Sequence, residues 1–131
     1  MYTMKEACER TGLSYETLKF YCNQGLVPNV KRDERNRRVF SEQDIGWILG
    51  LNCLKNCNMG IREMQEYLAL CLQGEATIPE RKKILEQKRE ELLQERKRIQ
   101  DSLDYIDWKQ NFYDEVLSGQ HPYISNLTTE D

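Results

Sequence analysis

Hydrophobic and polar positions from Thr3 to Leu26 alternate with a helical period in two short runs. The first opens at Thr3 and Glu6, a T-x-x-E box in which each side chain satisfies an orphan backbone N–H of the first turn. Gly12 suits the left-handed residue that closes such a helix, and Ser14 suits the cap of the next. The second run extends from Tyr15 to about Asn23 and stops at Gly25. Ala7, Cys8, Leu13, Leu18, Tyr21 and Leu26 form the expected buried side, and Tyr15, Glu16, Lys19 and Phe20 the outward one. Two helices joined by a tight Gly-containing turn make a helix-turn-helix, whose second helix fits the DNA major groove.

The pattern then changes period. Val27 to Val30 and Val39-Phe40 are short extended pieces around the polar stretch from Lys31 to Arg38, which predicts a hairpin. Five basic residues in its tip suit a wing lying against phosphates. Ser41 caps a helix from about Gln43 to Cys57 that is apolar nearly all round, a connector expected to be buried on several sides. Asn58 takes the helix-ending left-handed position, and a further helix follows from Ile61 to about Leu72. Thr77 is the expected cap of the last helix, with Pro79 in its first turn.

From Pro79 to about Ser118 there is neither Pro nor Gly. Leu85, Leu92, Ile99 and Ile106 recur every seven residues with Leu103 beside them, a narrow apolar seam on a charged helix roughly 60 Å long. Lys88, Glu95 and Ser102 fall on the second seam position, so a coiled coil built on this seam alone is weak. So much exposed Leu and Ile needs a partner, and a homodimer supplies one. The expected layout is a DNA-binding domain over 1–75, a coiled-coil dimerisation helix over 76–118 and a polar tail over 119–131, in which Tyr123, Ile124 and Leu127 could dock on the dimer. The fold class is mostly α: a winged helix-turn-helix followed by a long helix in an antiparallel coiled coil.

Charge sharpens this picture. The 131-residue chain is slightly acidic, at −3, which would argue against DNA if the charge were evenly spread. It is not: residues 1–40 carry eight Lys or Arg against five Asp or Glu, and the rest eleven against seventeen. No apolar run approaches the ~20 residues of a membrane span, and no signal peptide is visible. Five cysteines fit no disulfide framework, which points to a reducing, cytoplasmic setting.

Ser14-x-x-Thr17-Leu18-Lys19-Phe20-Tyr21 followed by Gly25-Leu26 resembles the recognition-helix signature of MerR-type transcriptional regulators, S-x-x-T-[LI]-R-[YF]-Y-E-x-x-G-L. Lys19 replaces the usual Arg and Cys22 the usual Glu, so a bidentate phosphate grip is lost at Lys19. Arg38 and Phe40 match the family's wing Arg and Tyr, Phe40 without the hydroxyl. The resemblance implies a homodimer that binds a promoter pseudo-palindrome and distorts it so that RNA polymerase engages both promoter elements. The implied DNA-binding residues are Ser14, Tyr15, Glu16, Thr17, Lys19, Phe20, Tyr21, Arg32, Arg37, Arg38 and Phe40. Leu85, Leu92, Ile99, Leu103 and Ile106 hold the dimer.

Chemistry beyond this is sparse. The single His121 leaves no His-based catalytic pair, and no Gly-rich phosphate loop occurs, so neither an enzyme nor a cofactor is expected. Cys53 and Cys57 lie one helical turn apart with Cys71 as a conceivable third ligand, a weak pattern from which no metal site is expected. Matches at Asp44-Ile45, Trp47-Ile48, Cys53-x-x-Asn56, Glu66-Tyr67 and Gly74-x-x-Thr77-x-x-x-Arg81 resemble the aldehyde-responsive, AdhR- and NmlR-like subgroup, whose sensing thiol stands at the position of Cys53. Cys53 is thus either that sensor or a small core hydrophobe; as a sensor it needs nearby positive charge, for which Lys55 and Arg62 are candidates. An architectural, excisionase-like DNA-binding protein without an effector is the alternative function.

Overall fold

The computed structural model describes residues 1–127; the end of the expected tail, 128–131, lies outside the described residues. The elements are β1 (Tyr2–Thr3), α1 (Met4–Thr11), α2 (Tyr15–Asn23), β2 (Lys31–Arg32), β3 (Arg38–Phe40), α3 (Glu42–Asn56), α4 (Ile61–Leu72), a 3-10 turn (Glu75–Thr77) and α5 (Ile78–Leu117). Two compact units divide the chain, the first from Met1 to Leu92 and the second from Leu93 onward.

The local signals set the helix ends of the first unit. Thr3 and Glu6 form the reciprocal capping box of α1, and Gly12 closes it at φ 74°. Ser14 Oγ accepts the Thr17 N–H at 3.1 Å to start α2. Ser41 and Asp44 make a second reciprocal box at α3. After α3, Asn58 turns the chain at φ 67°. Thr77 departs from its expected role. Its hydroxyl donates to the Leu70 carbonyl, and Arg81 Nε donates to it at 3.1 Å, so it fastens α4 to the start of α5 instead of capping α5.

The wing is larger than a hairpin. β3 pairs antiparallel with β2 on one side and with β1 on the other, in the order β1-β3-β2, with Tyr2 opposite Phe40 and Lys31 opposite Val39. This sheet turns Phe40 inward, where it is 0% exposed and packs with Ala7, Leu18, Leu26, Ile45 and Ile48. The indole N–H of Trp47 donates to the Leu26 carbonyl at 2.6 Å, joining α3 to the end of the recognition segment. Cys8 and Leu13, expected inside, are half-buried at the edge of this core.

Helix α3 is covered on fewer sides than its composition suggests. Ile45, Ile48 and Leu51 are buried, but Leu49 is 44% exposed and Cys53 is exposed too. Lys88 shows the opposite departure. On a helix read as a charged rod it is only 8% exposed, because its ammonium reaches Glu63, Glu91 and the Asn58 carbonyl. With Ile84 packed against the core, it ties the first turns of α5 to the α3–α4 turn.

In the second unit α5 continues unbroken to Leu117, and Gly119 follows at φ 84°. Ile99, Leu103 and Ile106 are exposed there, and Trp108, Phe112 and His121 stack in succession. Tyr123, Ile124 and Leu127 of the tail are exposed.

Candidate nucleic-acid interface

The outward side of α2 and the wing enclose one concave, basic surface. Tyr15, Glu16, Lys19 and Phe20 are exposed, as the helical period requires. Beside Tyr15 a cleft of about 450 Å³ is lined by Lys5, Arg32, Arg37 and Arg38. Four cations from α1 and the wing thus meet the N-terminal end of the recognition helix, where a polyanion would feel their summed field.

The wing holds its arginines through its own backbone. Asp33 accepts the N–H groups of Arg35 and Arg37, each at 2.9 Å, and the Arg37 guanidinium at 3.3 Å. The Arg37 N–H bond is the main cause that holds its carboxyl below the usual range. Asn36 adopts φ 62°, and its carbonyl accepts from Arg32 at 2.8 Å. Arg38 donates to Asn23 Oδ1 at 2.7 Å, fastening the wing to the last turn of α2. These contacts make the loop more than a solvated charge run.

A second anchor lies behind the interface. The Arg10 guanidinium donates to both carboxylate oxygens of Glu42 at 3.1 Å and to the Tyr2 hydroxyl at 2.6 Å, with its carbon 4.8 Å from the Tyr2 ring centre. The Tyr2 hydroxyl in turn donates to Glu42. Hydrogen bonds from Arg10 first and Tyr2 second pull the Glu42 pKa down, and the same Glu42 contact raises that of Arg10. The cluster joins β1, α1 and α3. It escapes sequence reading because Tyr2 and Glu42 are forty residues apart.

Not every expected contact residue reaches this surface. Phe40 is a core residue, since its alternation in β3 points it at the helices. Tyr21 is 2% exposed, and its hydroxyl is buried without a hydrogen-bond partner among the described residues, so it too is withdrawn from the contact set. The Ser14 hydroxyl is spent within α2, accepting from the Thr17 backbone and donating to Thr17 Oγ1 at 2.9 Å. Lys5 and Asn23, which sequence reading missed, join the site only through tertiary contact.

The thiols stay apart as well. No group of three or more metal-binding side chains gathers among the described residues. Cys53, read as either a sensing thiol or a small core hydrophobe, is exposed on α3. Cys22 is half-buried at the base of the wing; burial pushes its thiol pKa up, and Arg38 and then Arg32 oppose that shift. Cys71 receives a long contact from Arg81 at 3.8 Å. The seam residues Leu85, Ile99, Leu103 and Ile106 are exposed and Leu92 is half-buried, so this chain alone leaves the seam uncovered.

Residues 2–71 match the family model described as MerR HTH family regulatory protein. An uncharacterised HTH-type transcriptional regulator of Haemophilus influenzae is 35% identical over 112 residues, 86% of this chain and 83% of that protein. The HTH-type transcriptional regulator AdhR of Bacillus subtilis is 35% identical over 89 residues, 68% of this chain and 64% of that protein. Among solved structures, HiNmlR, a MerR family regulator lacking the sensor domain and bound to promoter DNA, superposes with a TM-score of 0.75 at 33% identity, covering 89% of this chain and 93% of that one. A MerR-type regulator from Listeria monocytogenes gives 0.80 at 33% identity, covering 92% and 91%.

Proposed function

Because this chain belongs to the MerR family of helix-turn-helix regulatory proteins, we propose that it is a transcriptional regulator that binds promoter DNA as a homodimer. The observation that carries this reading is the basic cleft between α2 and the wing, with Arg38 held on Asn23 beside the exposed face of the recognition helix. In this reading Tyr15 and Glu16, near the N-terminus of α2, read base edges, while Lys19, Arg32, Arg37, Arg38 and Lys5 supply phosphate contacts. The relative HiNmlR, of similar fold, is bound to promoter DNA, which supports the same use of this surface.

The domain layout follows. Residues up to about 75 carry the DNA-binding surface, and α5 carries the dimer seam in an antiparallel coiled coil. Distortion of a pseudo-palindrome between promoter elements, so that RNA polymerase engages both, is the expected mode of action. An electrophile response with Cys53 as the acceptor is part of this reading, on the resemblance of Cys53-x-x-Asn56 and its flanking matches to the aldehyde-responsive subgroup. The exposure of Cys53 on α3 makes it reachable by a small aldehyde.

Fluorescence anisotropy with the chain's own upstream promoter tests the first claim. Saturable, salt-sensitive binding that strengthens over unrelated DNA by about a thousandfold is expected. Equal affinity for promoter and unrelated DNA would refute a sequence-specific regulator and leave an architectural one.

A further inference from the structure

The recognition helix α2 is short and lightly held. Its nine residues make it ~13 Å long, and within that length only Leu18 and Tyr21 are buried. Two inward side chains set its depth in the core, while its tilt depends on what grips its ends. Ser14 caps the N-terminal end, beside Tyr15 and Glu16. In a helix of this length a tilt of about 5° about one end displaces the other by about 1 Å. Hydrogen bonds to base edges tolerate only a few tenths of an ångström, so a displacement of that size breaks them.

The C-terminal end of α2 is finished by a Schellman turn at Gly25, which has φ 73°. The Leu26 N–H donates to the Tyr21 carbonyl at 3.0 Å, the Gly25 N–H to that of Cys22 at 3.1 Å, and the Gln24 N–H to that of Phe20 at 2.9 Å. The carbonyl of Gln24, the cap residue, is left for a partner outside the helix. That partner comes from α4: Gln65 Nε2 donates to the Gln24 carbonyl at 2.9 Å, across forty-one residues of sequence. The donor stands on a fixed base. Met64 and Leu68 are buried on either side of it in α4, and Glu63 accepts the Gly60 N–H at 3.2 Å and pairs with Lys88 of α5. Gln65 itself is exposed, so its replacement opens no void in the core.

We infer that Gln65 is a positioning residue for DNA recognition: through the Gln24 carbonyl it fixes the tilt of α2 against α4. The role rests on the reading of α2 as the helix that reads DNA. It differs from a phosphate contact, because Gln65 carries no charge and lies outside the lining of the basic cleft. Loss of the bond leaves the charge of the interface intact and lets Tyr15 and Glu16 drift from their bases. Sequence-specific affinity then falls, while the sequence-independent part, which charge sets, is kept.

Anisotropy titrations compare the full chain with Gln65→Met, which keeps length and neutrality without a donor, and Gln65→Lys, which keeps a donor. The ammonium of Gln65→Lys also suits the negative end of the α2 dipole. In Gln65→Met the ratio of promoter to unrelated-DNA affinity should fall about fivefold, the worth of one neutral hydrogen bond, with the salt slope unchanged. Gln65→Lys should hold the ratio within about twofold of the wild type, since its added charge raises both affinities together. Ala69→Met, one turn further along the exposed side of α4, should leave the ratio unchanged. Hydrogen exchange of the free chain reads the same bond without DNA. The Gly25 and Leu26 amides should exchange about fivefold faster in Gln65→Met, with the α1 amides unchanged. An unaltered ratio in Gln65→Met, or an equal loss in Gln65→Lys or Ala69→Met, would each overturn the role. A wild type that binds promoter and unrelated DNA equally would refute the regulator reading instead. The exchange comparison then decides alone whether Gln65 holds α2, and unaltered exchange at Gly25 and Leu26 would show that it does not.

Discussion

Arg38 of the wing donates to Asn23 Oδ1 in the last turn of the recognition helix, at 2.7 Å. The bond crosses fifteen residues and fastens the wing to the recognition helix. Arg38 is therefore a strut for the wing, and its proposed second role is a charge near the phosphates.

The two roles separate by substitution. Arg38→Ala should weaken promoter binding and reduce the slope of log affinity against log salt by about one, because one phosphate contact goes. Asn23→Ala keeps the charge but frees the strut, so affinity should fall with the slope nearly unchanged. Anisotropy titrations across a salt series read both quantities. An unchanged slope in Arg38→Ala would remove it from the phosphate contacts.

Phe40 and Tyr15 should part company in stability. Phe40→Ala opens a void in the centre of the first unit and should cost about 3–5 kcal/mol. Tyr15→Ala touches an exposed side chain and should change stability by about 0.5 kcal/mol or less while weakening DNA binding. Urea denaturation followed by circular dichroism compares them. A near-neutral Phe40→Ala would contradict its placement in the core.

Lys88 and Glu63 make a pH-dependent clasp. Glu63 titrates below its ordinary range, chiefly through the Lys88 contact, and Lys88 is raised, chiefly through Glu63. The contribution from Glu63 is therefore complete above its unfolded pKa of about 4.3 and disappears as pH falls through its lower folded value. That from Lys88 is complete below its unfolded value of about 10.4 and disappears as pH rises through its higher folded one. Glu63→Gln should lower the urea midpoint at pH 7 and converge on the wild type in strong acid. A gap that does not depend on pH would show that the pair contributes nothing ionic.

The proposed dimer rests on the seam of α5. Ile99, Leu103 and Ile106 are exposed in the single chain. Replacing Leu92 and Ile99 by Asp should convert dimers to monomers in sedimentation velocity and abolish tight promoter binding, since each protomer then holds one half-site alone. A wild-type monomer at micromolar concentration would defeat the coiled-coil assignment.

Cys53 is tested by chemistry. In transcription assays with formaldehyde or methylglyoxal, Cys53→Ser should lose induction while Cys22→Ser retains it. Mass spectrometry of the intact chain should show adduct at the exposed Cys53 before the half-buried Cys22. Equal induction in both variants and the wild type would leave Cys53 without a sensing role.

Much of this architecture was legible along the chain because its signals are local. The Thr3–Glu6 and Ser41–Asp44 boxes act across three residues, and the left-handed turns at Gly12 and Asn58 depend on the residue itself. Helix α4 begins and ends where its apolar period does. The exposed face of α2 follows from the same period once Leu18 is placed inside.

Tertiary structure decided the rest, wherever the deciding partner lies far away in sequence. β1 has two residues, too few to carry a strand period, yet its pairing with β3 completes the sheet that carries Phe40 into the core. Helical period alone left Tyr21 both a core and a contact candidate, and only the packing of α2 withdrew it from the surface. Composition suggested that α3 was buried on several sides, but burial needs neighbours on each of them, and the neighbours within the chain stop short of Leu49 and Cys53. Lys88 looked like a misplaced charge in an apolar seam until Glu63, Glu91 and the Asn58 carbonyl were brought to its ammonium. A charge becomes an anchor only where the fold places its counter-charges, and such placement has no signature in linear spacing.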